Sequence, residues 1–426
     1  MINISDNLKS KVVLVLQVLL GCTFIFSGFA KSVDPFGGYY KIIDYLNAFG
    51  WDWLKALGFF GSVLLSVAEF TLGVCMLLGV RILWTTIGMA VFMVVFTPLT
   101  LYLAIENPVT DCGCFGDALV ISNWQTFWKN IIIDVLLYVV YIWRAYSTRS
   151  YKLITEAGFV AVSILFSVGL SVYGFINLPL IDFRPYYIGA NIPKGMEVPE
   201  DAPRDVYQTT LVYEKDGVKK DFSLQDYPKD DSTWKFVENR SELISKGYVP
   251  PIHDFTMEHP DDGDITDDVI YNPGYSFLLV AHNVTEYNLF SNPAGAHFDK
   301  SERVNAAYEF AKNNGYGFYC MTATGIESDE MNAYKNATGA EYQFVNSDEI
   351  MLKTIIRSSP GLVLIKNGDI VNKWSLDNIP VFSEPLEKSE LGQTQAPNEK
   401  ARVLVCVVIM AALLYGVKFV TEKIKK

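Results

Sequence analysis

Two features of the sequence have side chains whose types and spacing suit chemistry. The first is a pair of thiols one residue apart, Cys112-Gly113-Cys114, set inside Asp111-Cys-Gly-Cys-Phe-Gly-Asp117. Outside a membrane such a pair meets oxidising machinery. One intervening Gly lets the chain close a tight ring that bulkier residues would strain, and strained, exposed disulfides are the labile or catalytic ones. Three readings stay open: a static disulfide pinning the loop, a redox-active pair, and metal ligation, which lacks a third or fourth Cys or His in the loop. Asp111 and Asp117 are expected to raise the thiol pKa values, because like charge disfavours a thiolate. The second feature is Glu69, in an otherwise apolar run. An intramembrane carboxylate is costly and is by default a functional candidate. It reads either as a proton acceptor or as a protonated structural group, with Asp134 or Lys129 as a partner across the bundle. Cys22, Cys75 and Cys406 sit singly in apolar spans, and Cys320 falls in a predicted strand as a buried, inert thiol.

The elements that must position these residues follow from hydropathy. Half of the 426 residues are hydrophobic and 19% are charged. Residues 181–400 hold 36 Asp and Glu against 20 Lys and Arg, and the remainder holds 11 against 15. The acidic segment reads as a soluble domain and the apolar, mildly basic remainder as membrane. No basic surface for nucleic acid is expected. Six spans of roughly the 20 residues a bilayer requires are predicted: Val12–Ala30, Leu57–Val80, Ile82–Ile105 (broken by Pro98), Phe127–Trp143, Ala157–Ile181 and Val403–Val420. The first has no small-x-small cleavage site and is read as a span, not a signal.

Lys and Arg in short loops set the orientation. With the N-terminus inside, ten cations (Lys9, Lys11, Arg81, Arg144, Arg149, Lys152, Lys418, Lys423, Lys425, Lys426) are cytoplasmic, and four (Lys31, Lys41, Lys55, Lys129) are in short outer loops. Both termini are therefore expected in the cytoplasm, with 31–55, 106–126 and 182–400 outside. Pro35–Leu46 has the spacing of a short interfacial helix.

In the outer segment, 182–200 reads as a turn-rich stalk, and Gln208–Tyr213 with Val218–Phe222 as a β-hairpin. The acidic run 261–268 lacks a calcium-loop frame and reads as solvated. From 276 strands and helices alternate: strand 276–281, helix 301–313, strand 316–322, helix 329–337, strand 342–345, helix 349–356. Pro360–Ile365 and Ile370–Trp374 then form a hairpin around Lys366-Asn-Gly-Asp. This order resembles the thioredoxin fold, in which the Pro before the hairpin is cis; here that is Pro360. Thioredoxins carry Cys-x-x-Cys after the first core strand, whereas here His282–His297 has no cysteine. The domain is thus expected to lack dithiol chemistry, and His282 and His297 read as loop or strand-end histidines.

Ser27-Gly-Phe-Ala-Lys31-Ser-Val-Asp-Pro35, Glu69-x-x-x-Gly73-x-x-x-Leu-Leu-Gly79 and Cys-Gly-Cys-Phe-Gly-Asp resemble the DoxX-like superfamily, nearest to its MauE (methylamine-utilisation) type, over roughly residues 10–147. The resemblance implies a membrane α-helical four-helix bundle. It also implies a link to maturation of disulfide-rich periplasmic proteins or to quinone-coupled chemistry. The whole layout resembles DoxX-family proteins of Bacteroidetes. The expected organisation is a DoxX/MauE-like bundle (1–150), a fifth transmembrane helix (151–181), an extracytoplasmic α/β domain (182–398, thioredoxin-like over 270–380) and a C-terminal transmembrane anchor (399–426).

The leading functional reading is an inner-membrane thiol–disulfide component. In it, Cys112 and Cys114 exchange disulfides with periplasmic clients, a quinone is a possible acceptor, and Glu69 accepts a proton in the membrane. The lipid bilayer and thiol or disulfide client proteins are the expected partners, with no nucleic acid and no metal. The alternative is a non-enzymatic anchored assembly or binding factor whose Cys-Gly-Cys is a structural disulfide. A transporter using Glu69 lacks the internal repeat that would support it.

Overall fold

The computed structural model describes residues 5–109, 111–229, 231–245, 247–284 and 296–423. Most of the stretch between His282 and His297, with the His297 side chain, lies outside the described residues. Among them, six helices are long and apolar enough to cross a membrane, and the chain is a multi-pass membrane protein. They are α1 (Asp6–Val33), α3 (Gly58–Leu78, led in by a 3-10 turn at Asp52–Leu57), α4 (Ile82–Glu106), α5 (Asn123–Trp143), α6 (Leu153–Ile176) and α12 (Glu399–Lys423), with a shorter α2 (Pro35–Phe49) between the first two. Apolar side chains on their outer faces, such as Val15, Leu64, Val94, Leu165 and Val407, are exposed, as lipid-facing residues are.

Local chemistry sets several boundaries. Asp34 caps α2 at the Gly37 N–H, Pro35 occupies its first turn, and Gly50 ends it at φ 68°. Ser122 and Gln125 form a capping box that opens α5 four residues earlier than hydropathy suggests. α4 runs through Pro98 without a break, as helices do where neighbours re-satisfy the freed backbone. α6 stops at Ile176, short of the expected 181, because Pro179 bars a helix there. α12 exceeds the expected 403–420 at both ends, where Lys and Arg heads reach past the apolar stripe.

One end of the bundle is tied by Lys9 to the Tyr146 hydroxyl, Gln17 to Ser147, Arg81 to Glu156 and Thr155 to Thr421. The other end carries α2, the 107–122 loop and the α/β domain.

That domain begins with α7 (Ile192–Met196) and a three-stranded antiparallel sheet of β1 (Val206–Lys215), β2 (Val218–Ser223) and β3 (Lys235–Ser245), in the order β2-β1-β3. The hairpin was expected; β3, polar and mostly exposed, was not. The main sheet follows: β4 (Glu258–His259), β5 (Gly263–Asp264), α8 (Thr266–Ile270), β6 (Tyr275–Ala281), α9 (Ala296–Asn314), β7 (Gly317–Thr322), α10 (Asp329–Thr338), β8 (Gln343–Asn346), α11 (Glu349–Ile355), β9 (Gly361–Lys366) and β10 (Asp369–Ser375). Its order is β10-β9-β6-β7-β8-β4-β5, with β6, β7 and β8 parallel and β9 antiparallel to β6. The Ser359–Pro360 bond is cis, as the thioredoxin resemblance implies, and Asn367 and Gly368 have positive φ in the hairpin turn, as the Asn-Gly pair predicts. Every residue of β6 is buried, with Phe277 and Leu279 in one core layer and Leu278 and Val280 in the other.

The expected stalk is instead part of this core. Tyr186 and Ile192 are buried in the layer that holds Leu278. Asp182 receives Lys373 Nζ at 2.8 Å and Arg184 Nε at 2.9 Å.

Candidate functional site

The site starts from small residues. α1 and α3 meet at backbone distance: a Cβ on Gly28 would lie 2.4 Å from Phe70 N, and one on Gly73 would lie 2.5 Å from Ile25 N. Glycines are what allow such contact between membrane helices. This approach brings Ser27 and Lys31, one turn apart on α1, against Glu69 on α3. Lys31 Nζ donates to both Glu69 oxygens at 2.8 Å and to Ser27 Oγ at 3.3 Å. The Ser27 hydroxyl lies 2.7 Å from Glu69 Oε2 and 2.6 Å from the Cys114 carbonyl oxygen. All three side chains are buried or nearly so.

Two expectations change here. Glu69 pairs with neither Asp134 nor Lys129: both of its oxygens lie 2.8 Å from Lys31 Nζ. Asp134 instead accepts from the Thr97 hydroxyl at 2.9 Å. Lys31 is not a loop cation but the last-turn residue of α1.

The 111–117 loop sits on top of this cluster and is held at several points. Asp111 takes Lys41 Nζ at 2.7 Å and the Gly113 N–H at 2.8 Å. Gly113 has φ 61°, which favours glycine. The Tyr45 hydroxyl donates to the Cys112 carbonyl at 2.5 Å. Asp117 accepts from Arg357 Nη2 at 2.6 Å.

Both thiols are free. The Cys112 sulfur accepts from the Cys114 N–H at 3.3 Å and lies 3.4 Å from Thr126 Oγ1. The hydrogen bond from the Cys114 thiol, aided by Thr126, that N–H and the Lys129 charge, outweighs burial and brings the Cys112 thiol down to about 6. Donation to Cys112, with burial, pushes the Cys114 thiol up. The expected rise is found at Cys114 alone, and there it comes from Cys112 and burial; Asp111 and Asp117 each face a cation, Lys41 and Arg357. The outcome is an asymmetric pair: one thiol poised as thiolate, the other its proton donor.

A cavity of about 90 Å³ lies beneath the loop, lined by Ser27, Lys31, Glu69, Cys112, Cys114 and Lys129 among others. The three sequence-stated site residues thus share one wall system. Lys129 lies 4.5 Å over the Phe115 ring and, among the described residues, has no carboxylate partner. An apolar groove of about 590 Å³ runs between α1 and α5 along Leu19, Leu20, Trp128, Ile132 and Leu136; it meets the cavity at Thr23, Lys129 and Ile133.

The α/β domain reaches the same place. Arg357, just past α11 and three residues before Pro360, lies in a fork: Nε and Nη2 reach Asp34 Oδ2 at 2.9 and 2.8 Å, and Nη2 also reaches Asp117. Its guanidinium is 5.4 Å from the Tyr40 ring centre. Arg357 is buried, and despite that burial the carboxylates of Asp34 and Asp117 hold its proton more tightly than usual. Conversely, Asp34 is held below the usual carboxylate range against burial by Arg357 and Arg184. His282, at the end of β6, is buried; its Nε2 lies 2.9 Å from the Ile356 carbonyl and its ring 6.5 Å from that of Tyr40. Desolvation brings it down to about 3, so it is a neutral structural group. Cys320 is fully buried in β7, and burial pushes its thiol far up.

Sequence reasoning missed Ser27, Lys31 and Arg357 as site residues and had Lys129 only as a candidate partner of Glu69. The i, i+4 spacing of Ser27 and Lys31 opposite an intramembrane Glu was a usable signal. Nothing in the sequence links Arg357 to a partner 323 residues away.

Residues 9–147 match the family described as methylamine utilisation protein MauE, and residues 207–246 match a domain of unknown function, DUF8463. No curated protein matches the chain. Among solved structures, the chain is similar to one titled "Solution structure of a putative protein disulfide isomerase from Bacteroides thetaiotaomicron", at 17% identity and a TM-score of 0.23, over 29% of this chain and 76% of that one.

Proposed function

With residues 9–147 forming a MauE-family domain, we propose that this multi-pass membrane protein is a thiol–disulfide redox component. Cys112, the thiol of lower pKa, and Cys114 are its redox pair. The carrying observation is the placement of the pair: the Cys112 sulfur accepts the Cys114 N–H at 3.3 Å and shares a cavity with Lys31 and Lys129, and its thiol is brought down while that of Cys114 goes up. The staple reading is weaker because hydrogen bonds from Tyr45, Lys41, Ser27 and Arg357 already hold the loop.

In the oxidised state the pair takes a client dithiol. A client thiolate attacks one loop sulfur, the Cys112–Cys114 bond breaks, and the mixed disulfide is resolved by the second client thiol. The client leaves as a disulfide and the pair as two thiols, having gained two electrons and two protons. The pair is then reoxidised. The groove between α1 and α5 fits a membrane quinone: its apolar walls suit an isoprenoid tail, and Thr23 and Lys129 lie where it meets the cysteine cavity. Bound there, a quinone supplies a two-electron, two-proton acceptor. Lys31 and Lys129 favour the thiolate, and the Ser27–Glu69–Lys31 cluster takes and passes the released proton. We place the protein in the inner membrane with both termini cytoplasmic and the α/β domain periplasmic, on the Lys and Arg distribution.

The test is the full-length protein in nanodiscs, reduced and then given a short-chain quinone. Thiol trapping is expected to show loss of both loop thiols with quinol formation at one to one, and none of either in Cys112→Ser. A pair that stays reduced with quinone and with oxidised glutathione refutes the reading.

A further inference from the structure

The α/β domain is expected to lack dithiol chemistry, and the structure gives the face around Pro360 an occupant: the chain's own bundle. Four observations converge there. Arg357 bridges Asp34, at the α1–α2 junction, and Asp117, three residues beyond Cys114. Its Nη1 donates to the Lys353 carbonyl at 2.8 Å, which fixes the fork to the end of α11. Tyr40 of α2 takes Lys353 Nζ at 4.9 Å and the Arg357 guanidinium at 5.4 Å over its ring. The His282 ring packs edge-on against the same Tyr40. Arg357 is 7% exposed and Asp34 8%, so the contact is desolvated, where a bidentate guanidinium pair is worth most.

We infer that Arg357 is a positioning residue for the Cys112–Gly–Cys114 loop, acting through Asp117, and that the α/β domain serves this loop in cis. Two effects follow from the geometry. The fork pins the turn Gly116–Ala118, and with it Phe115, which packs 5.4 Å from Phe26 and lies under Lys129. It also neutralises Asp117, a carboxylate of the same loop three residues beyond Cys114. A domain without a dithiol of its own thus has a role in the dithiol chemistry of another segment. The inference deepens the redox reading but does not need turnover to be tested.

The experiment follows alkylation of Cys112 by N-ethylmaleimide in the reduced full-length protein, resolved by fragment mass spectrometry at pH 5.5, below the thiol's own range. Arg357→Gln leaves Asp117 unpaired. A one-unit rise of the Cys112 thiol, the low end for a nearby like charge, slows the reaction about eightfold. Arg357→Lys keeps a cation without the fork and is expected to fall between, and it stands in if Arg357→Gln does not fold. Adding Asp117→Asn to Arg357→Gln is expected to restore the rate to within about twofold. An unchanged rate in Arg357→Gln, or in Arg357→Lys where only that folds, overturns the inference. So does a loss that Asp117→Asn leaves in place, because a purely structural role gives that pattern. The same samples titrated with glutathione report separately on the redox reading: a wild-type pair that forms no reversible disulfide sinks that reading and leaves the alkylation result standing.

Discussion

Lys31 and Glu69 form a buried ion pair directly under the thiol loop, and breaking it from either side has effects that differ in sign. Both side chains are nearly buried, at 14% and 9% exposure, and are joined at 2.8 Å. Removing one partner of such a pair leaves an uncompensated charge and costs about 3–5 kcal/mol. Lys31→Met and Glu69→Gln should therefore each destabilise the bundle by about that amount, and the double variant by no more than either single one, giving a coupling of at least about 3 kcal/mol. Tryptophan fluorescence during reversible unfolding in mild detergent measures the cycle.

Thiol reactivity separates the two single variants. Lys31→Met leaves a carboxylate below Cys114 and pushes the Cys112 thiol up, whereas Glu69→Gln leaves an ammonium and pulls it down. From a starting point of about 6, one unit either way at pH 5.5 means about eightfold slower alkylation in Lys31→Met and about threefold faster in Glu69→Gln. Equal losses of stability with opposite changes in reactivity are the signature. Additive stabilities, or both variants reacting more slowly, refute the electrostatic role assigned to this pair.

Three further outcomes follow. Alkylation of Cys112 should rise with pH through about 6 and level off above 7, while Cys320 stays unreactive until the protein unfolds; a Cys112 rate still climbing tenfold per unit at pH 8 contradicts the assigned asymmetry. Buried neutral His282 binds its proton less readily than in the unfolded chain, so stability is lost as pH falls below about 6.5, by about 2 kcal/mol at pH 5; His282→Gln should flatten that part of the urea-unfolding pH profile, and an unaltered slope assigns it to other groups. Gly28→Val forces a side chain into Phe70 backbone and should part α1 from α3, read as a lowered midpoint together with loss of the Lys31–Glu69 coupling.

Much of the architecture was legible because it rests on local signals. The spans are long apolar runs, and the alternation from 276 onward is one of period and turn residues; β6, Asn367-Gly368 and Pro360 could be placed from their neighbours alone. What was not legible depends on distant partners. β3 carries the unbroken polar run Glu238-Asn-Arg-Ser-Glu242 at its centre, which breaks the apolar alternation that would mark a strand before its β1 partner is known. The 182–196 segment looks like a stalk until Lys373 and Gly368 are brought to it by the fold. Glu69 was identifiable by the cost of its burial, but its partner was not, because Lys31 reads as a loop cation until the last turn of α1 carries it to Glu69.

The combination of a thiol pair in one segment and a dithiol-free α/β domain in another is explained by what each lacks. The seven-residue 111–117 stretch of the loop between α4 and α5 cannot by itself shield its thiols from its own acidic flanks; Asp111 and Asp117 are neutralised by Lys41 of α2 and Arg357 of the domain. A domain lacking Cys-x-x-Cys has no use for a free face around Pro360, and here that face is filled by Tyr40, Asp34 and Asp117. Electrostatics at the pair is therefore set jointly, by Lys31 and Glu69 from below and by Arg357 from above, and neither half of the chain presents the Cys112 thiolate in this form without the other.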